Sequence, residues 1–409
     1  MRNPTTALLA ALFCACTGAR ADEFATVSLS GFGTLGALYH GAEGVKYRRD
    51  VSVPDGASAR RWSLAQDSML GVQATARFGE HLEATLQLTI RDSIDRGYTP
   101  QVSLGFVKWK PDAATTLRAG RIGLEVYQRG DSSEIGYANP MVRPIFGLYP
   151  RTADGVDAEW LTPIGPMGGG ILRVKSQAGY VVGKMTTGGE TIDVSGSPMV
   201  DFLAEYTQGS WTGRVAAGKS TSRGGPDSES FRALCTALSA TPRGAEILDS
   251  LTQKGRATTA YAIGLRYDSG PFQAQADYAR VTWQSGWPTQ AYSALQGGYR
   301  ISRFTPYAGY TYMRTERRLI ETGLPWNVAT YALNQGAALA QAAHFTNQTI
   351  ATAGLRYELS RNTALKFQVD AIRYQDTPSI FDPTLLTEDV AGRGFKAITL
   401  YSVALEFVF

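Results

Sequence analysis

The sequence predicts an all-β protein, a sixteen-stranded antiparallel transmembrane β-barrel, on three observations. Apolar and polar residues alternate through sixteen segments, short and long connections alternate between those segments, and aromatic residues gather beside the short connections. A chain of 409 residues could also form two or three soluble domains, but no charge block or proline-rich linker divides it. Glycine, tyrosine and threonine are plentiful and helical periodicity is scarce, which favours strands and turns.

The N-terminus comes first. Arg2 precedes an apolar run from Ala7 to Ala15, and Ala19-Arg20-Ala21 offers a small-residue cleavage site before Asp22. Residues 1–21 therefore read as a secretory signal peptide, leaving 22–409 as the barrel domain. Loss of Arg2 and Arg20 lowers the formal charge from +4 to +2, a near balance that gives no argument for nucleic acid. Cys14 and Cys16 leave with the peptide, and Cys235 alone cannot form an internal disulfide. No later segment approaches the ~20 apolar residues of a membrane helix, so a membrane location requires a closed barrel.

The alternating segments run at 26–40, 68–78, 82–91, 102–110, 116–122, 153–161, 169–176 and 199–207, then at 211–219, 258–267, 272–283, 291–300, 305–314, 348–357, 363–374 and 397–409. In 82–91, Leu82, Ala84, Leu86, Leu88 and Ile90 share one face, while Glu83, Thr85, Gln87, Thr89 and Arg91 share the other. In 355–370, Leu355, Tyr357, Leu365, Phe367 and Val369 should face lipid, and Arg356, Lys366, Gln368 and Asp370 should face a lumen too wide for side chains to fill.

Connections at 79–81, 111–115, 162–168, 208–210, 268–271, 301–304 and 358–362 are short. Those at 41–67, 123–152, 177–198, 220–257, 315–347 and 375–396 are long, and 92–101 and 284–290 are intermediate. A sandwich has no reason to keep every second connection tight, whereas a membrane barrel has short turns on one side and long loops on the other. Phe78, Trp109, Trp160, Tyr206, Trp211, Tyr267, Phe272, Tyr299 and Tyr357 lie near the short turns, as an aromatic girdle at one membrane interface would. FRALCTALS and AEILDSLTQ, within 220–257, suggest short helices in a loop.

Several stretches resemble the sixteen-stranded outer-membrane porins of Gram-negative bacteria: SLSGFGTLGALYH the first strand, DSMLGVQATARFGEHLEATLQ the next hairpin, GFVKWKPDAATTLRAGRI a strand, turn and strand ending in Leu-x-x-Gly-Arg, RTADGVDAEWLTP the strand after the constriction loop, and LEFVF the terminal aromatic. The resemblance implies a homotrimer in outer-membrane lipid that passes small hydrophilic solutes and ions passively, with no cofactor. It implies that Phe409 is the signal for the barrel-assembly machinery, and that the third long loop, Gly123–Thr152, folds inward with Glu125, Asp131 and Glu134 as its acids. The wall arginines opposite fall on Arg121 and Arg151, the family's third on Met69, and Arg77 and Arg91 remain on inward faces. SSEIGYANP departs from the family's Pro-Glu-Phe-Gly-Gly loop tip. Acids facing guanidinium groups across a narrow pore would set up a transverse field, and the mixed signs predict weak ion selectivity.

Other functions fit the sequence less well. A substrate-selective channel stays close to this expectation. A barrel protease or phospholipase would want a histidine beside a nucleophile or acid, and His40, His81 and His344 have no obvious partner in the sequence. No His or Cys spacing suggests a metal. A secreted lectin or adhesin would have to be soluble without detergent.

Overall fold

The computed structural model of the chain describes residues 25–409 apart from 95–96, 127–129, 133, 144–149, 166–168, 188–189, 285–287, 317–318, 344, 377–383 and 388–395. The signal peptide expected at 1–21, and His344, lie outside the described residues. In chain order the strands are β1 (Ala25–His40), β2 (Val45–Arg48), β3 (Met69–Phe78), β4 (Leu82–Arg91), β5 (Gln101–Trp109), β6 (Thr115–Gly123), β7 (Thr152–Ile164), β8 (Gly170–Val182), β9 (Lys184–Thr187) and β10 (Glu190–Asp193). They continue with β11 (Pro198–Gln208), β12 (Trp211–Thr221), β13 (Ala257–Ser269), β14 (Phe272–Trp283), β15 (Gln290–Tyr299), β16 (Phe304–Thr315), β17 (Asn347–Ser360), β18 (Thr363–Asp376), β19 (Thr384–Thr387) and β20 (Lys396–Val408).

Sixteen of these form one closed barrel, ordered β1-β20-β18-β17-β16-β15-β14-β13-β12-β11-β8-β7-β6-β5-β4-β3. Each pairs antiparallel with its sequence neighbours in the barrel, and β1 closes the ring on β20 from Phe32 opposite Val408 to His40 opposite Leu400. All sixteen predicted segments are strands of this barrel. The expected 169–176 segment runs on to Val182, because β7 and β8 press together through Gly155 and Gly179. A Cβ on Gly155 would stand 2.1 Å from the Ala178 carbonyl oxygen, so small residues there mark a tight sheet rather than a loop.

The four remaining strands form two ribbons separate from the barrel sheet, β9 with β10 and β2 with β19. Four residues each is too few to show alternation in sequence. The loop at 220–257 carries the two expected helices, α1 (Glu229–Ser239) and α2 (Gly244–Leu251), and the loop at 315–347 adds a third, α3 (Tyr331–Ala342). Ser228 caps α1, its hydroxyl accepting from the Phe231 amide at 3.1 Å. Leu238, Ile247, Leu251, Ile320 and Ala337 form a small buried core among the three helices.

The two faces of the wall separate as the alternation requires. In β18, Phe367 is 45% and Val369 41% exposed, while Lys366, Gln368 and Asp370 are 0%, 4% and 4% exposed. The outward residues Phe78, Trp109, Trp160, Trp211, Phe272 and Tyr299 are exposed beside the short turns, which gives the expected girdle. One feature of the inward face is unlike the wet lumen expected from alternation. Toward the long-loop end, Val281, Tyr292, Met313, Ile350, Ile372 and Leu400 point inward and are buried against Tyr47, Ala57 and Met141. Loops reach in and form an apolar core where wall side chains alone cannot meet across the barrel.

The outward face suits lipid, and this can be tested at Leu295, on the outward face of β15 and 59% exposed. Leu295→Arg should destabilise the barrel by about 2–4 kcal/mol in urea unfolding from lipid vesicles. Thr26→Lys, on the inward face of β1 opposite Arg77, should change stability by no more than about 0.5 kcal/mol.

Candidate pore constriction

The connection from β6 to β7, residues 123–152, crosses the barrel interior. Its base is bound to β6, β7, β8 and β12, and its tip to β17, β18 and β20, which lie nearly opposite β6 in the barrel order. Four groups of charged side chains hold it.

At the base, Arg118 of β6 donates from Nε to Asp157 of β7 at 3.0 Å and also contacts Asp131 of the loop. Asp131 in turn accepts from the Gly123 amide at 3.1 Å, and the Arg118 guanidinium lies 4.7 Å from the Phe106 ring centre. A second group surrounds Glu125. Arg173 donates to its carboxylate at 2.7 Å, Lys175 contacts the other oxygen, Arg214 donates to its backbone carbonyl, and its amide donates to Gln177 at 2.9 Å. Burial of Glu125 opposes ionisation, but Lys175 and Arg173 outweigh it and hold the pKa down to about 2.

The third group joins the first and third loops. Asp50 lies 3.1 Å from Arg151, 3.2 Å from Arg49 and 3.7 Å from Arg91, and Glu134 lies 3.3 Å from Arg151 and 3.5 Å from Arg91. Burial again works against both carboxyls. Arg151, Arg49 and Arg91 nonetheless hold Asp50 well below the usual carboxylate range, and Arg91, Arg151 and Arg49 lower Glu134.

The fourth group latches the tip. Arg143 donates from Nη1 to Asp370 at 2.8 Å and from Nε to Asp67 at 3.1 Å, and also bonds Ser402. Lys366, wholly buried, contacts Glu406 and donates to the carbonyls of Gly136, Asn139 and Met141 at 3.0, 2.7 and 3.1 Å. Arg356 donates to the carbonyls of Tyr137 and Asn139, both at 2.7 Å. At Gly136 the loop meets the wall so closely that a Cβ would stand 2.7 Å from Glu406 Oε1 and from Thr34 Oγ1. A cavity of about 500 Å³ remains between the tip and the wall, lined in part by Arg266, Asp268, Gln273, Gln275, Arg300 and Glu358.

Of the residues singled out in the sequence, Arg91, Arg151 and Glu134 meet in one group, and Glu125 and Asp131 anchor the base of the loop. Arg121 stands elsewhere. It lies on the outward face of β6 with Leu117 and Ala119 and donates to Asp154 at 2.8 Å, while Arg118 takes the inward position. Arg77 lies at the short-turn end of β3, 3.3 Å from Glu83, away from the loop. Met69 points inward and is paired in register with Arg91, which brings a guanidinium beside the position where the family's third wall arginine is replaced by methionine. Arg118, Arg143, Lys175, Asp50 and Asp67 escaped sequence reasoning. Parity along TTLRAGRIG was a usable signal for Arg118; Asp50, Asp67 and Arg143 sit in aperiodic loops.

Phe409 closes the barrel seam, its amide and carbonyl both bonded to Gly31 at 2.9 Å. Its ring covers Gly31, where a Cβ would be 2.2 Å from it.

Comparison with known proteins agrees with this architecture. The outer-membrane channel DcaP of Acinetobacter baumannii superimposes with a TM-score of 0.56 at 13% identity, over 96% of this chain and 99% of that one. An anion-selective porin from Comamonas acidovorans gives 0.54 at 14% identity over 94% and 100%, and OmpT of Vibrio cholerae in its trimer form gives 0.54 at 12% over 95% and 100%. At these identities the likeness is one of fold. A comparison with curated protein sequences gave no match. The family profile described as Gram-negative porin matches residues 5–377. The chain belongs to the Gram-negative porin family, and it is an outer-membrane channel for passive diffusion.

Proposed function

We propose that small hydrophilic solutes and ions pass beside the third loop, with only weak selectivity between anions and cations. The observation that carries this reading is the group of Asp50 and Glu134 with Arg49, Arg91 and Arg151. Positive and negative charges meet directly there, so they cancel much of the field that separated charges would project into the pore. The polar lining of the cavity between the loop tip and the wall supports passage of hydrated solutes rather than apolar ones. Within this proposal Gly123–Thr152 is the constriction loop, with Glu125, Asp131, Glu134 and Arg151 as its charged residues and Arg91 of β4 facing them, and Arg77 and Arg121 are left out.

The same proposal includes export through a cleaved peptide at 1–21, recognition of Phe409 by the assembly machinery, and a homotrimer. The Arg121–Asp154 pair supports a protein neighbour on the outward face of β6 and β7, because an ion pair is poorly placed against acyl chains. A hydrolytic role has less support. His40 Nε2 lies 2.8 Å from the Ala57 carbonyl and His81 Nδ1 2.6 Å from that of Lys110, so each described histidine engages backbone rather than a catalytic partner.

Planar-bilayer recordings should show stepwise openings and a reversal potential close to zero in a salt gradient; a sealed barrel or a strongly selective one contradicts the proposal. Glu134→Gln should move the reversal potential toward anions and Arg91→Glu toward cations. The carboxyls of Asp50, Glu125 and Glu134 are depressed below the free value of about 4, so their contribution to holding the loop is complete above that pH. It is lost as the pH falls through the depressed range, to about 2 for Glu125. The open level should thus hold from pH 7 to 4, and closures should appear as the pH approaches 2. Lys366→Met, which strands Glu406 without its counter-ion, should cost about 3–5 kcal/mol of barrel stability. Combining it with Glu406→Leu should restore most of that loss, as read from thermal unfolding.

A further inference from the structure

A second, smaller cavity lies behind the root of the third loop, at the long-loop end of β11 to β14. Three buried apolar clusters meet there without closing on one another: one with Leu124, Met185 and Met199, one with Val126 and Ala260, and one with Val281 and Trp283. The space between them is about 130 Å³. Two rungs of the wall form its floor. Met199, Ser220, Thr258 and Trp283 are paired in register across β11, β12, β13 and β14, and Gly218, Ala260 and Val281 form the next inward rung toward the short turns. Gly218 and Ala260 leave room that larger side chains would take, and Val126 of the third loop rests on Gly218, where a Cβ would stand 2.9 Å from its Cγ2.

A few polar side chains interrupt the apolar lining. Ser220 and Thr258 stand directly opposite each other, which brings their Cβ atoms to about 5 Å, and neither hydroxyl has a hydrogen-bond partner among the described residues. Gln253 reaches the cavity from the loop at 220–257 and is only 3% exposed. Its Oε1 also has no partner among the described residues. Buried polar groups are nearly always bonded, and an apolar cavity with a few convergent polar groups is the usual form of a small-molecule site.

We propose that this cavity binds one aromatic ring carrying a hydroxyl group, a small phenol. Its volume is close to that of apolar protein cavities of about 150 Å³ that take up benzene. Trp283 offers an aromatic surface, and the thioethers of Met185 and Met199 favour contact with an aromatic ring over an aliphatic one. A phenolic hydroxyl both donates and accepts, so it serves the hydroxyls of Ser220 and Thr258 and the carbonyl of Gln253, which benzene would leave unsatisfied. The occupant would also touch Leu124 and Val126 and so brace the root of the third loop. The inference is independent of the route that hydrophilic solutes take past the loop tip.

Detergent-purified protein should be titrated with 4-fluorophenol and with fluorobenzene, read by fluorine NMR against empty micelles as background. Binding of 4-fluorophenol should saturate and be about three- to tenfold tighter than that of fluorobenzene, the share of one neutral hydrogen bond. S220A/T258V should lose most of that preference and still bind fluorobenzene. A260L fills the cavity and should abolish saturable binding of both probes; S220A/T258V decides where A260L does not assemble. Crystals soaked in 4-bromophenol should place the anomalous bromine signal between Val126 and Trp283. No saturable binding above the micelle background, equal affinity for the two probes, a preference unchanged in S220A/T258V, binding unchanged in A260L, or a bromine signal only elsewhere would overturn the proposal. So would cyclohexanol displacing 4-fluorophenol at equal concentration, which would make the site one for any compact alcohol.

Discussion

Acyl chains offer no hydrogen bonds, so every backbone donor and acceptor within the membrane must find its partner in the protein, and for strands that means a sheet without edges. The closure of β1 on β20 satisfies this requirement, and the rest of the structure follows from it. The seam runs to the last residue, where Phe409 exchanges two backbone bonds with Gly31. Gly31 and Gly33 leave the outward surface flat enough to seat the rings of Phe409 and Phe407, covering backbone that a glycine would leave bare.

Closing sixteen strands creates an interior that their own side chains cannot fill. Loops fill part of it, and a loop inside a barrel brings a second difficulty. Its irregular backbone has carbonyl groups with no ladder to join. The wall answers with cations: Lys366 and Arg356 between them serve the carbonyls of Gly136, Tyr137, Asn139 and Met141. Buried ion pairs are weak sources of net stability because desolvation offsets their attraction, yet removing one partner leaves a charge that nothing else can satisfy. The latch therefore specifies where the loop lies more than it adds to the stability of the barrel.

Strands were legible in the sequence and the loop contacts were not, for a physical reason. Lipid on one side and a polar interior on the other impose a period of two on every strand, and that period survives in LEATLQLTIR without knowledge of any neighbour. Parity also contained more than family resemblance drew from it. In TTLRAGRIG, Arg118 and Arg121 are three residues apart and cannot share a face; Leu117 and Ala119 belong to lipid, so Arg121 goes outward with them. Asp50, Asp67 and Arg143 had no such signal, since their roles depend on where three separate segments meet. The polar lumen expected throughout was too simple because alternation reports only that a residue faces inward, while the loops decide whether water or protein meets it there.

Most of the charge that a sequence would assign to the pore is thus already engaged. Arg143, Lys366, Arg118 and Lys175 each face acids or carbonyls within the protein. A count of inward arginines and lysines accordingly overstates the field a permeant ion meets. The same network makes the pore a property of the wall, because the loop's position is set from Asp370, Lys366 and Arg356 on strands nearly opposite its root. Changes in those strands act on permeation through the loop they hold, without any contact with the solute.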